Sequence, residues 1–69
     1  MLAKRIRYLR KQAGWSQQKL AQYADLSYNM ITKIEQDQAK YPSIQTVMKL
    51  ADAFSMSIDD LIERKLKKF

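Results

Sequence analysis

Sixty-nine residues make one domain at most, and a chain of this size buries only about 60% of the surface it exposes when unfolded, so its core must be economical. Thirteen Lys and Arg against seven Asp and Glu leave a net charge of +6, which attracts polyanions, while the absence of cysteine and histidine excludes disulfide staples, thiolate and imidazole catalysis and the usual zinc ligands. No apolar run approaches the ~20 residues that cross a bilayer and no signal-peptide core opens the chain, so a soluble, cytoplasmic protein held by packing alone is expected.

Leu2, Ile6, Leu9 and Ala13 recur at helical spacing with charges on the remaining arc, which predicts an amphipathic first helix. Gly14, the only glycine, lies just past them and predicts a left-handed helix end. Trp15 follows in the connection and is expected to fill core space. Ser16 caps a second helix whose inner stripe is Leu20, Ala21 and Ala24. The turn Asp25-Leu26-Ser27 points Leu26 inward and caps, through Ser27, a short third helix from about Tyr28 to Gln36. After the polar connection Asp37 to Pro42, Pro42-Ser43 sets up a fourth helix whose apolar face is marked by Ile44, Val47, Leu50, Ala51 and Phe54. Ser57-Ile-Asp-Asp60 reads as a capping box with aspartate in place of the usual glutamate, opening a fifth helix that runs through Leu61 and Ile62 and frays within the final lysines. No repeat, low-complexity segment or linker interrupts residues 1–69, which form a single domain in this reading.

The cations cluster at the two ends of the chain, as Lys4, Arg5, Arg7, Arg10 and Lys11 and then as Arg64, Lys65, Lys67 and Lys68. Solvated helix ends are the plain reading of both groups, and it is the reading adopted for the second, which also suits the negative pole of a helix C-terminus. Asp52, Asp59, Asp60 and Glu63 fall at helix starts or on solvent-facing arcs and suggest no catalytic pair, so an enzyme is not expected.

The stretch from Gly14 to Glu35 holds two short helical patterns, each opened by a serine and separated by a tight turn, which is the pattern of a helix-turn-helix. In its second half Tyr28, Asn29, Thr32, Lys33 and Gln36 share one arc while Ile31 and Ile34 mark another, so one face can pack while the other reads a polar surface such as a DNA major groove. Met30 borders both arcs and is expected to pack. Asn29 can bond adenine in bidentate fashion, Lys33 can reach guanine acceptors, and Tyr28 and Thr32 can touch a thymine methyl or a phosphate. Gln38, Lys40, Tyr41 and Ser43, in the connection that follows, are candidates for holding the phosphate backbone, with Lys40 foremost.

Arg10, Ser16-Gln17, Leu20-Ala21, Ser27, Ile31, Ile34-Glu35, Pro42-Ser43, Leu50-Ala51 and Ser57-Ile-Asp-Asp-Leu61, at this spacing, resemble the Cro and lambda-repressor (XRE) type of helix-turn-helix domain over roughly residues 4 to 62. The resemblance implies an all-α, compact five-helix bundle, a phosphate contact at Gln17 and a structural pair between Arg10 and Glu35 that sets the angle of the third helix. Asp25 and Asp37 stand where such domains usually carry glycine, and aspartate is among the residues that tolerate positive φ. The function implied is a sequence-specific DNA-binding transcriptional regulator, a repressor, from a bacterium, phage or mobile element, with double-stranded DNA as partner and no cofactor. One short helix touches too few base pairs, so a homodimer on an inverted repeat is expected, with half-sites about 34 Å apart and self-association near the fifth helix through Met56, Ile58 and Leu66. Two other readings stay open: an antitoxin-type interaction module that masks a toxin and binds DNA secondarily, and the DNA-binding fragment of a longer repressor.

Overall fold

Five helices account for most of residues 2–38 and 42–62, the part of the chain that the computed structural model describes. They are α1 (Leu2–Gln12), α2 (Gln17–Ala24), α3 (Tyr28–Glu35), α4 (Ile44–Ala53) and α5 (Ile58–Leu61), with no strand among the described residues. None of these helices is long and apolar enough to cross a membrane.

Serine opens four of them. Ser16, Ser27, Ser43 and Ser57 all hold extended backbone, and their hydroxyls accept from the N–H of Lys19 (3.0 Å), Met30 (3.0 Å), Thr46 (3.2 Å) and Asp60 (3.1 Å). Each bond satisfies a donor that the helix itself leaves unpaired. The last of them is the forward half of the expected capping box. At α4 the Ser43 hydroxyl also meets the buried Thr46 hydroxyl at 3.0 Å, so the same residue that starts the helix satisfies a polar group inside it.

The helix ends follow an equally uniform rule. Gly14, Asp25, Asp37 and Ser55 sit at φ of 74°, 55°, 61° and 56°, just past α1, α2, α3 and α4. At each, the left-handed residue donates to the carbonyl three back and its successor donates to the carbonyl five back, as in Gly14 to Lys11 (3.0 Å) and Trp15 to Arg10 (3.0 Å). This is the Schellman arrangement, and it pairs carbonyls that would otherwise be orphaned. The aspartates expected to tolerate positive φ do so, and Ser55 joins them although its sequence gives no such sign.

Every helix sends at least one large side chain into the centre: Ile6 from α1, Leu20 from α2, Ile31 and Ile34 from α3, Leu50 from α4 and Leu61 from α5 are essentially inaccessible. Ala21, Ala24 and Ala51 fill the remaining gaps and let the backbones approach, so α3 packs against α1 and α2, α2 against α4, and α4 against α5. Trp15 stacks on Phe54 (5.4 Å, 14° between planes) and tilts onto Tyr23 (4.7 Å, 54°), tying the turn after α1 to the far ends of α2 and α4.

Several expectations need correction. Ala13 lies exposed in the turn, and Ala3 is the buried alanine of α1. Ile44 does not join the inner face of α4: at the first helical position it points outward and remains 63% exposed, while Val47, Leu50, Ala51 and Phe54 do the packing. Gln36 is the cap of α3 rather than its last helical residue, and Ile62 is the exposed cap of α5. The final lysines, where fraying was expected, lie outside the described residues.

Candidate nucleic-acid interface

The geometry of α3 divides its side chains cleanly. With 100° per residue, Ile31, Ile34 and Glu35 fall together on the buried side, and Tyr28, Thr32, Gln36, Asn29 and Lys33 sweep the opposite side in that angular order. Tyr28, Asn29, Lys33 and Gln36 are exposed, Thr32 is half-buried between them, and Met30 lies half-buried at the border against the core. Among the described residues the side chains of Asn29, Lys33 and Gln36 make no hydrogen bond or ion pair. The arc singled out in sequence is therefore assembled on one outward face.

What holds that face at its angle is a polar network beneath it. Glu35, its side chain only 2% exposed, takes a two-pronged contact from Arg10, with Nε to Oε2 at 2.7 Å and Nη2 to Oε1 at 3.0 Å. Arg10 also donates from Nη1 to the Trp15 carbonyl (2.9 Å), and Gln17 donates from Nε2 to Glu35 Oε1 (3.1 Å). The Gln17 oxygen in turn accepts from the Tyr28 hydroxyl at 3.3 Å. One carboxylate thus joins α1, the start of α2 and both ends of α3. Two charges this deep are costly to desolvate, and the fork-to-carboxylate geometry with further hydrogen bonds is what offsets that cost. Among the described residues no buried side-chain polar atom lacks a partner.

Arg5 and Arg7 of α1 turn onto backbone carbonyls elsewhere in the fold rather than standing as solvated cations. Arg7 donates from Nη1 to the Glu35 carbonyl, closing the C-terminus of α3. Arg5 donates to the Leu61 and Asp60 carbonyls (3.0 Å each), and Lys49 reaches the Asp25 carbonyl past α2 (3.3 Å). These cations sit where helix C-termini concentrate partial negative charge. Nothing local in sequence announces them, since Arg7 and Glu35 lie 28 residues apart and Arg5 and Leu61 lie 56 apart.

Of the expected phosphate contacts, Gln17 is half-buried at the first turn of α2 with its amide engaged as described. Gln38 is exposed just past α3, and Ser43 is exposed but committed to starting α4. Lys40 and Tyr41 lie outside the described residues. Among the described residues no group of three or more His, Cys, Asp or Glu side chains gathers as a metal site.

A family model described as "Helix-turn-helix" matches residues 6–61. The chain is similar to the HTH-type transcriptional regulator PuuR of Escherichia coli (strain K12), at 33% identity over 64 residues that cover 93% of this chain and 34% of PuuR. It is similar also to the HTH-type transcriptional regulator SinR of Bacillus subtilis (strain 168), at 31% identity over 65 residues that cover 94% of this chain and 59% of SinR. The chain therefore spans between about a third and three-fifths of the length of the curated relatives it matches.

Proposed function

The chain belongs to the helix-turn-helix family, of the Cro and lambda-repressor type, and from that premise we propose that it is a sequence-specific DNA-binding transcriptional regulator, a repressor, acting as a single domain without catalytic activity. Helix α3 enters the major groove with Tyr28, Asn29, Thr32, Lys33 and Gln36 toward the bases. Gln17, Gln38, Lys40, Tyr41 and Ser43 hold the flanking phosphates, and Arg10 and Glu35 support the presentation of α3. The observation that carries this reading is the polar face of α3, outward and braced from below through Glu35. An eight-residue helix is about 12 Å long, enough to lie in a groove but too short to discriminate a site alone.

Two copies related by a dyad would reach half-sites about 34 Å apart and read an inverted repeat. Met56 and Ile58, the described candidates for the dimer contact, are half-buried and pack partly against the core, and Leu66 lies outside the described residues. Selection of duplexes from a random pool at physiological salt tests the whole reading. It is expected to return a palindrome with that spacing, and failure to enrich any sequence would refute it. A second reading, in which these residues are the DNA-binding unit of a longer regulator, draws support from the coverage of PuuR and SinR, and its sign would be weak dimerisation of the isolated chain.

A further inference from the structure

The protons of two hydroxyls on the outward face of α3 are already committed inside the fold. The Glu35 carboxylate only accepts, so the Gln17 group 3.1 Å from it is the amide nitrogen, which turns the amide oxygen toward Tyr28. That oxygen also only accepts, so the Tyr28 hydroxyl must donate to it, at 3.3 Å. One turn further along, the Asn29 carbonyl takes the Thr32 hydroxyl proton at 2.8 Å, a bond back onto the preceding turn of the helix. Neither proton can be given to a phosphate or a base acceptor without abandoning its partner.

With both protons committed, these two positions offer hydroxyl lone pairs that can only accept and, beside them, apolar surface: the ring of Tyr28, in a residue 47% exposed, and the γ-methyl of Thr32, the part of that side chain not committed to the backbone. They stand four residues apart and so about 40° apart around the axis, a continuous stripe along one edge of the face. Beside it runs the polar stripe of Asn29, Lys33 and Gln36. In the major groove, thymine alone among the four bases sets a methyl group beside its hydrogen-bonding atoms.

We propose that the Tyr28 ring and the Thr32 methyl form an apolar contact for the 5-methyl group of thymine, so that this edge of α3 selects by methyl packing and the neighbouring edge by hydrogen bonds. The proposal rests on α3 being the major-groove helix. Its test uses the duplex recovered from the random pool, with each thymine replaced singly by deoxyuridine, which removes the methyl and keeps every hydrogen-bonding group. Replacement at the thymine against this stripe is expected to weaken binding about four-fold, the equivalent of one buried methylene. Thr32→Ser keeps the hydroxyl and loses the methyl, so its preference for thymine over deoxyuridine duplexes should fall below that of the unaltered protein, with the Tyr28 ring supplying what remains. Tyr28→Phe keeps the ring and should preserve the discrimination. Each ratio is taken within one protein, so altered stability does not disturb it. Indifference of the unaltered protein to every thymine replacement, or an undiminished ratio in Thr32→Ser, overturns the proposal while leaving the major-groove reading in place. A pool that yields no preferred sequence removes both.

Discussion

At Glu35 a single carboxylate receives Arg10 and Gln17, and through Gln17 it fixes what Tyr28 can do. Truncation to Glu35→Ala would leave the Arg10 guanidinium buried without its counter-charge, a loss of about 3–5 kcal/mol. A chain of this length is stable by roughly 3–10 kcal/mol in total, so that variant is expected to lose a large share of its stability, read as a strongly lowered thermal midpoint by far-ultraviolet circular dichroism. Asn29 and Lys33 present the opposite case, because nothing among the described residues leans on their side chains. Asn29→Ala and Lys33→Ala should melt within about 0.5 kcal/mol of the parent yet lose about 1–3 kcal/mol of binding to the selected duplex, with relaxed preference at one base position each. Competition binding against single-base variants checks this. The Arg10–Glu35 pairing was legible in sequence through resemblance alone, whereas the Gln17–Tyr28 bond was not, because it depends on how closely the start of α2 approaches the start of α3.

The helix boundaries were far more legible than the side-chain partnerships. Serine before an apolar periodicity announces a start, and four of the chain's five serines do that work. Gly14 announces a stop by its chemistry, and Asp25 and Asp37 by analogy with it. Ser55 was hidden because serine ordinarily takes negative φ, and nothing in its local sequence marks a left-handed turn. Ile44 was misread because the apolar periodicity of α4 runs one turn past the region its neighbours cover. The strain at these ends is testable by exchange in both directions. An added Cβ at Gly14 would meet nothing within 4 Å, so Gly14→Ala should cost only the left-handed conformational penalty, about 1–2 kcal/mol. Ser55→Gly should relieve part of that penalty and raise the melting temperature by a few degrees, on the scale of about 4–8 °C per kcal/mol for a domain of this size. Thermal melts of the two variants should therefore move in opposite directions.

For the molecule as a whole, the net charge of +6 sets the attraction that a polyanion feels before any specific contact forms. The Arg10–Glu35 pair is already balanced in that sum, Arg5, Arg7 and Lys49 keep their charge while bonding backbone carbonyls, and salt dependence reports whichever of the chain's cations close on phosphates. Each phosphate they neutralise contributes about 0.9 to the log-log slope of affinity against salt. Lys40→Ala is expected to lower that slope by about 0.9 per copy and to weaken every sequence alike, read by titrating selected and scrambled duplexes across a salt series. An unchanged slope would remove Lys40 from the proposed phosphate contacts.

The chain has one tryptophan, and its indole is wedged between Phe54 and Tyr23, on the seam where α2 meets α4 rather than on α3. Its fluorescence therefore reports whether that seam is shut and is blind to which letters of a duplex are being recognised. A variant that no longer discriminates but emits like the parent has lost its vocabulary and kept its architecture, and an intrinsic optical signal separates those two failures without a label.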